Sequence, residues 1–458
     1  MSRTCRLRPV LCSMAVTALL VLASAARPAT APRAMATTSQ TLRLWYGSDD
    51  PTERAWVQGL VRRFEAAHPT IRVQFSFYSL DDMNTKTQLA LSTSAAPDLI
   101  YSTPRGPGLP AYVRARRLRD LSADARRRNW AAQLRPGLLA AYNATLAANG
   151  TAHDAGKVFA APYLLAAVGV LYNKAIFRAL HLAIPRTAAQ FAALLPVLKR
   201  AGYTPIGFGD EDGWVGDAWY LTLVNALAGP EALRPALRGA PSFRFTTPPF
   251  QQAAATLQAW AKAGYFSKDL GGLDPQESIQ DFFEEGRTAM QLVSSTENAQ
   301  ILAEARQEDS RAKEVGLFAF PGARAGQAPV MLQDGYGGWA IPIAAKDPAA
   351  ALTFIDDALS AQTAATLLAQ GLLPARRIDR GSATAAPFQR DALAALAGAT
   401  PGVYVDAAPV PNLLATMEAS LQRLLAGQET PAALTRVLQA VYSTQGRSAA
   451  VGDTDGEF

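Results

Sequence analysis

Thiols are nearly missing from this chain. Its two cysteines, Cys5 and Cys12, both stand in an N-terminal stretch that reads as a leader. A mature chain without that stretch has no disulfide and no thiolate metal site, even in a compartment that permits oxidation. Histidine is as scarce: His68, His153 and His181 are scattered, and His68 merely precedes Pro69, so a histidine-built metal centre or proton relay finds no support. The chain carries no phosphate-binding GxxxxGKS or GxxxxGKT, no GxSxG and no HExxH, and GYGGWA at 335–340 is not a dinucleotide fingerprint. Membrane-spanning runs are wanting too. No charge interrupts Val158 to Asn173, yet Pro162 and Gly169 split it, and it falls short of the roughly 20 residues a spanning helix needs.

The N-terminal stretch has a layout of its own. Arg3, Arg6 and Arg8 precede an uncharged segment from Pro9 to Ala26 that ends in Ala23-Ser24-Ala25, and Ala34-Met35-Ala36 repeats the small-residue pattern. This is the order of a secretory signal peptide, so residues 1–36 are read as signal peptide and leader, and the chain as secreted, periplasmic or attached at the cell surface. A retained anchor, or a lipid on Cys12, is the other reading. Five arginines (Arg3, Arg6, Arg8, Arg27, Arg33) and no acids precede Thr37, so the formal charge drops from +6 to 6 − 5 = +1 without the leader. A charge that small excludes nucleic acid as the expected partner.

What remains alternates strand and helix. Leu42 to Tyr46 reads as a strand; Asp50, Pro51 and Glu53 supply a helix start, and Trp56, Leu60, Val61 and Phe64 form one helical face. Ile71, Val73, Phe75 and Phe77 then alternate with polar residues as a half-buried strand, and a strand-helix-strand unit of this length implies parallel pairing. Val158 to Asn173 is expected to form a pair of core strands by which the chain leaves one lobe and founds another, with Asn173 capping a helix behind it. Thr187 and Gln190 mark a further helix start, Asp274-Pro275-Gln276-Glu277 another, and Thr288 to Val293 a strand with a polar exit at Ser294 to Asn298. Val315 to Phe320 and Gly338 to Ile343 read as strands around a Gly- and Pro-rich loop. The length exceeds one ordinary core, so an α/β protein of two or more lobes is expected.

Seven arginines, at 114, 116, 117, 119, 126, 127 and 128, make the densest basic patch, with only Tyr112 and Trp130 as aromatic neighbours. Such sparse stacking residues leave a solvated helix face, or a contact surface for an acidic partner. Adjacent acids at Asp49-Asp50, Asp81-Asp82, Glu284-Glu285 and Asp356-Asp357 lie at or beside helices and serve as helix-end or surface charges; a carboxylate pair for glycoside hydrolysis stays open as an alternative. More telling is a set of polar and aromatic residues at the carboxyl ends of expected strands, where open α/β sheets hold their ligands. These are Tyr46, Ser48 and Asp49; Asp210, Trp214, Asp217 and Trp219; Ser294 to Asn298; and Asp334 to Trp339. Aromatic faces beside Asp, Glu and Asn suit a sugar, whose C–H surface stacks while its hydroxyls exchange hydrogen bonds.

RRFEAAHPTIRVQF, KTQLALSTSAAPDLIY, YNKAIF with PRTAAQF, FFEEGRTAMQLVSSTEN, GYGGWAIPIAAKDPAAALTFIDDALS and GLLPAR follow one another in this chain. In that order they resemble the extracellular solute-binding proteins of bacterial ABC importers, in the carbohydrate-binding family related to maltose-binding and glycerol-3-phosphate-binding proteins. The resemblance implies an α/β, two-lobed periplasmic-binding-protein-like fold with a hinge and an interlobe ligand cleft. It implies lobe 1 at 37–158 and 317–370, lobe 2 at 159–316 and 371–445, and a loose tail at 446–458. It implies a monomeric, non-catalytic receptor with no cofactor and no metal, a carbohydrate as its small-molecule ligand, and the transmembrane subunits of an ABC permease as partner. The ligand contacts carried over are Tyr46, Asp49, Trp214, Asp217, Ser295, Glu297, the loop Gly337 to Trp339, and Arg376. A secreted carbohydrate-active enzyme and a ligand-sensing module for a receptor are the competing expectations.

Overall fold

The structure is a computed structural model that describes residues 40–48, 51–104, 108–148, 152–269, 271–378, 387–405 and 408–451. The expected signal peptide, Asp49 and the last residues of the tail lie outside the described residues. Strands β1 (Gln40–Gly47) and β2 (Ile71–Tyr78) flank the helix Pro51–Ala67 and pair in parallel, from Gln40 opposite Ile71 to Gly47 opposite Tyr78. Trp56, Leu60, Val61 and Phe64 are all buried, as the helical spacing requires. Strand β3 (Leu99–Ser102) lies parallel on the other side of β1.

The remaining strands are β4 (Ala160–Asn173), β5 (Thr204–Gly207), β6 (Thr288–Ser294), β7 (Val315–Phe318), β8 (Val330–Ala340) and β9 (Thr400–Gly402). Their order is β2-β1-β3-β8-β4-β6-β5, with β7 also on β4 and β9 on β8. Two long strands join the halves of this sheet. The end of β8 pairs with β3, Tyr101 opposite Trp339, while its start pairs with β9, Val330 opposite Thr400. β4 runs antiparallel to β8 from Ala160 opposite Ala340 to Val168 opposite Leu332, then continues against β6 and β7.

Each half has its own core. One packs Leu42, Tyr46, Phe64, Trp130, Tyr163 and Phe354 together. The other gathers Val170, Phe191, Phe208, Trp219, Trp260 and Met417. Leu332 of β8 belongs to the second core and Trp339 to the first, so one strand enters both. Phe318 and Phe320 also pack in the second core.

Four expectations change. The uncharged stretch is one continuous strand, β4, rather than two, with Pro162 opposite Gly338 of β8. Gly169 keeps its place because Leu317 lies against it where a Cβ would stand. The DGYGGW run is not a loop but part of β8, and its glycines make room for rings. A Cβ at Gly335 would run into Tyr142, and one at Gly337, whose φ is +70°, into Tyr101. The arginine-rich segment is no single helix face: Arg114 ends the helix Leu109–Arg114, Arg116 follows at φ +53°, and Arg126 and Arg127 end the helix Ser122–Arg127. At the C-terminus, the helix Pro431–Val451 reaches into the segment whose composition reads as loose.

Candidate functional site

Tyr46, at the carboxyl end of β1, is fully buried. Its ring stacks on Tyr101 at 4.2 Å and 3°, and meets Trp56 edge-on at 5.9 Å. Its hydroxyl donates to Glu53 Oε2 at 2.8 Å. Burial and the Glu53 carboxylate hold the Tyr46 phenol well above its ordinary value, so it stays a neutral donor. Trp339 is likewise fully buried, 4.8 Å from Tyr101 and 5.4 Å from Tyr163. The Tyr101 hydroxyl donates to the Tyr336 carbonyl at 2.5 Å, across the backbone that Gly337 opens for it. Tyr46, Gly337 and Trp339 thus meet in one aromatic cluster, whose faces are spent on one another.

Trp214 and Asp217 are placed differently. Phe208 and Gly209 lead from β5 into a turn that Asp210 organises by accepting the Gly216 N–H at 2.7 Å. Gly213, at φ +85°, starts the helix Trp214–Ala228. Asp210 is fully buried and its pKa is pushed up to about 7, chiefly by that burial and then by Asp212. On this first turn Trp214 is half-buried and Asp217 buried, and both line a cavity of about 290 Å³. Thr103, just past β3, lines it too, with Tyr404, Leu414 and Glu418. A second cavity of about 310 Å³ shares Tyr404 and runs over Gln333 and Asp334 of β8 to Arg135, with Arg234 across from it. The two cavities, which share Tyr404, form the candidate groove. Gln333 and Asp334, both half-buried, bring the middle of β8 to the second cavity.

Ser295 and Glu297 sit where β6 ends. The Ser295 hydroxyl donates to the Leu165 carbonyl at 2.7 Å and accepts the Ala167 N–H at 3.0 Å. Glu297 closes a capping box, its Oε2 accepting the Ser294 N–H at 3.0 Å. Burial, with Asp212 and Asp274 nearby, pushes the Glu297 carboxyl up to about 8. Arg376 ties two segments together, Nη1 donating at 2.7 Å to both Gln133 Oε1 and the Leu359 carbonyl. Among the described residues no cluster of acids, histidines or cysteines could hold a metal ion, and no helix is long and apolar enough to cross a membrane.

Sequence reasoning missed Thr103, Arg135, Tyr404 and Glu418. Thr103 carried a usable signal, since it follows a strand directly. Tyr404 and Glu418 reach the groove from the last third of the chain, and no local pattern marks them.

Residues 48–365 match the model of the bacterial extracellular solute-binding protein family. This chain belongs to that family. Among relatives of this solute-binding protein is a multiple sugar-binding protein of Streptococcus mutans, 22% identical over 295 residues. That match covers 64% of this chain and 64% of the relative, so it spans less than two thirds of the relative's length. The fold is that of two-lobed solute-binding proteins. A chitin oligosaccharide binding protein superposes with a TM-score of 0.74 at 22% identity, covering 89% of this chain and 99% of that one. RafE in complex with raffinose gives 0.66 at 17%, covering 88% and 100%.

Proposed function

We propose that this solute-binding protein is a secreted, monomeric receptor that captures a sugar or oligosaccharide between its lobes and delivers it to the transmembrane subunits of an ABC importer. The observation that carries this reading is the groove itself. Thr103 lines it from the first half, Trp214 and Asp217 from the second, and Gln333 and Asp334 bring β8 to it. A half-buried indole beside a carboxylate offers a stacking face and a hydroxyl acceptor in one place. The sugars and oligosaccharides in the names of its relatives support the same ligand class. The lobes we assign divide near 158, within β8, and near 370.

A ligand touched by both lobes favours the closed arrangement by as much as its extra contacts there are worth, and the permease reads the closed surface. The cycle makes and breaks no covalent bond. Titration calorimetry of ligand-stripped protein against mono-, di- and oligosaccharides is the test. Saturable one-to-one binding that Trp214→Ala weakens supports the reading; time-dependent release of reducing ends from any of these sugars contradicts it.

A further inference from the structure

Arg135 stands in the second cavity, between the helix Leu138–Ala147 and the segment Pro401–Tyr404. Its backbone is fixed: the N–H donates to the Ala375 carbonyl at 3.0 Å, and its carbonyl accepts the Leu138 N–H at 3.1 Å. Its side chain is not. Nε is buried without an acceptor, and no ion pair involves the guanidinium among the described residues. Burial draws its pKa down from the ordinary arginine value, yet an arginine stays charged in any protein. A buried Nε–H without an acceptor costs stability unless something completes it.

The other charges of this cavity are accounted for locally. Arg234 pairs with Glu231 at 2.8 Å, and Asp334 accepts the Gly335 N–H at 2.7 Å. Leu165 and Leu237 supply apolar wall. The two cavities share Tyr404, so a ligand that filled both would be elongated, with Arg135 toward one end and Trp214 toward the other.

Resting on the reading of the groove as a sugar site, we propose that the ligand is an acidic saccharide whose anionic group is taken in a two-pronged contact by Arg135, while Asp334 and Gln333 accept from and donate to its hydroxyls. The planar guanidinium fork matches a carboxylate in geometry, and the carboxylate supplies the counter-charge that Arg135 lacks.

The experiment compares uronate disaccharides with their methyl esters, which keep the shape and remove the charge, by calorimetry on native protein, Arg135→Met and Arg135→Lys. Neutral oligosaccharides and glycerol 3-phosphate are run alongside. A charge-assisted pair is worth about 1.5–3 kcal/mol, so the native protein is expected to prefer an acid to its ester by roughly 10–150-fold. Arg135→Met is expected to erase that preference, lowering acid binding by far more than ester binding, and Arg135→Lys to restore part of it. Unchanged thermal midpoints show that the variants fold. If no acid outbinds its ester, or if the preference survives Arg135→Met, the inference is overturned while sugar binding stands. If glycerol 3-phosphate binds and no saccharide of either charge does, or if nothing binds, the sugar reading falls and takes the inference with it.

Discussion

The Ser295 hydroxyl holds both the Leu165 carbonyl and the Ala167 N–H, at 2.7 and 3.0 Å. Strand β6 ends at Ser294, opposite Val168, so this side chain carries the pairing of β4 beyond the last residue of its neighbour. It does so at Leu165 to Ala167, between Leu164 of the first core and Val168 of the second. A residue carried over as a ligand contact therefore has its hydrogen bonds directed at the crossing strand.

Ser295→Ala leaves two buried backbone groups of β4 short of a partner. The expected cost is about 1–3 kcal/mol, read as a lower urea midpoint with an unchanged slope. Faster exchange of the Ala167 amide should accompany it. A stability within error of the parent protein would show that the hydroxyl is dispensable there.

Gly337→Ala forces a Cβ into the ring of Tyr101 at a backbone φ of +70°. Strain and overpacking each cost about 1–3 kcal/mol, so a loss of roughly 2 kcal/mol or more is expected by chemical denaturation. The paired change Gly337→Ala with Tyr101→Leu should lose less than the sum of the two single changes, because the clash is shared.

Much of this was written locally in the sequence. The parallel unit of β1 and β2 followed from a capped amphipathic helix between two alternating segments, and the Thr187 and Asp274 caps appear with their side chains on the expected N–H groups. The course of β8 was not legible, because glycines that usually signal a loop are here selected by Tyr142 and Tyr101, remote in sequence. The site was half legible for the same reason. Trp214 and Asp217 follow a strand and reach the groove, whereas Tyr46 and Trp339 obey the same positional rule and turn inward to fill a core. Only the packing partner separates these outcomes, and sequence order does not display it.

Glu297 gives the fold a pH dependence of definite sign. Its folded pKa, about 8, lies above the ordinary 4.5, so the folded state holds the proton more tightly. The associated stability is present below pH 4.5 and is lost as pH rises through about 8. Asp210, pushed up to about 7, acts in the same direction. Thermal midpoints should fall between pH 5 and 9, and Glu297→Gln, which can still accept the Ser294 N–H, should flatten that fall. An identical slope in the variant would remove Glu297 as its source.

Trp214→Ala should separate binding from folding. The indole is half-buried at the cavity, so its loss should weaken sugar affinity by roughly 10–150-fold, as expected for a stacking face worth about 1.5–3 kcal/mol. Trp219→Ala, which removes a fully buried ring of the second core, should instead cost about 3–5 kcal/mol of stability.

Small-angle X-ray scattering of ligand-stripped protein, with and without a saccharide shown by calorimetry to bind, asks whether the lobes close. The account expects the radius of gyration to shrink on saturation and to return to its starting value when the sugar is removed. A saturated complex with the scattering curve of the free protein would contradict it.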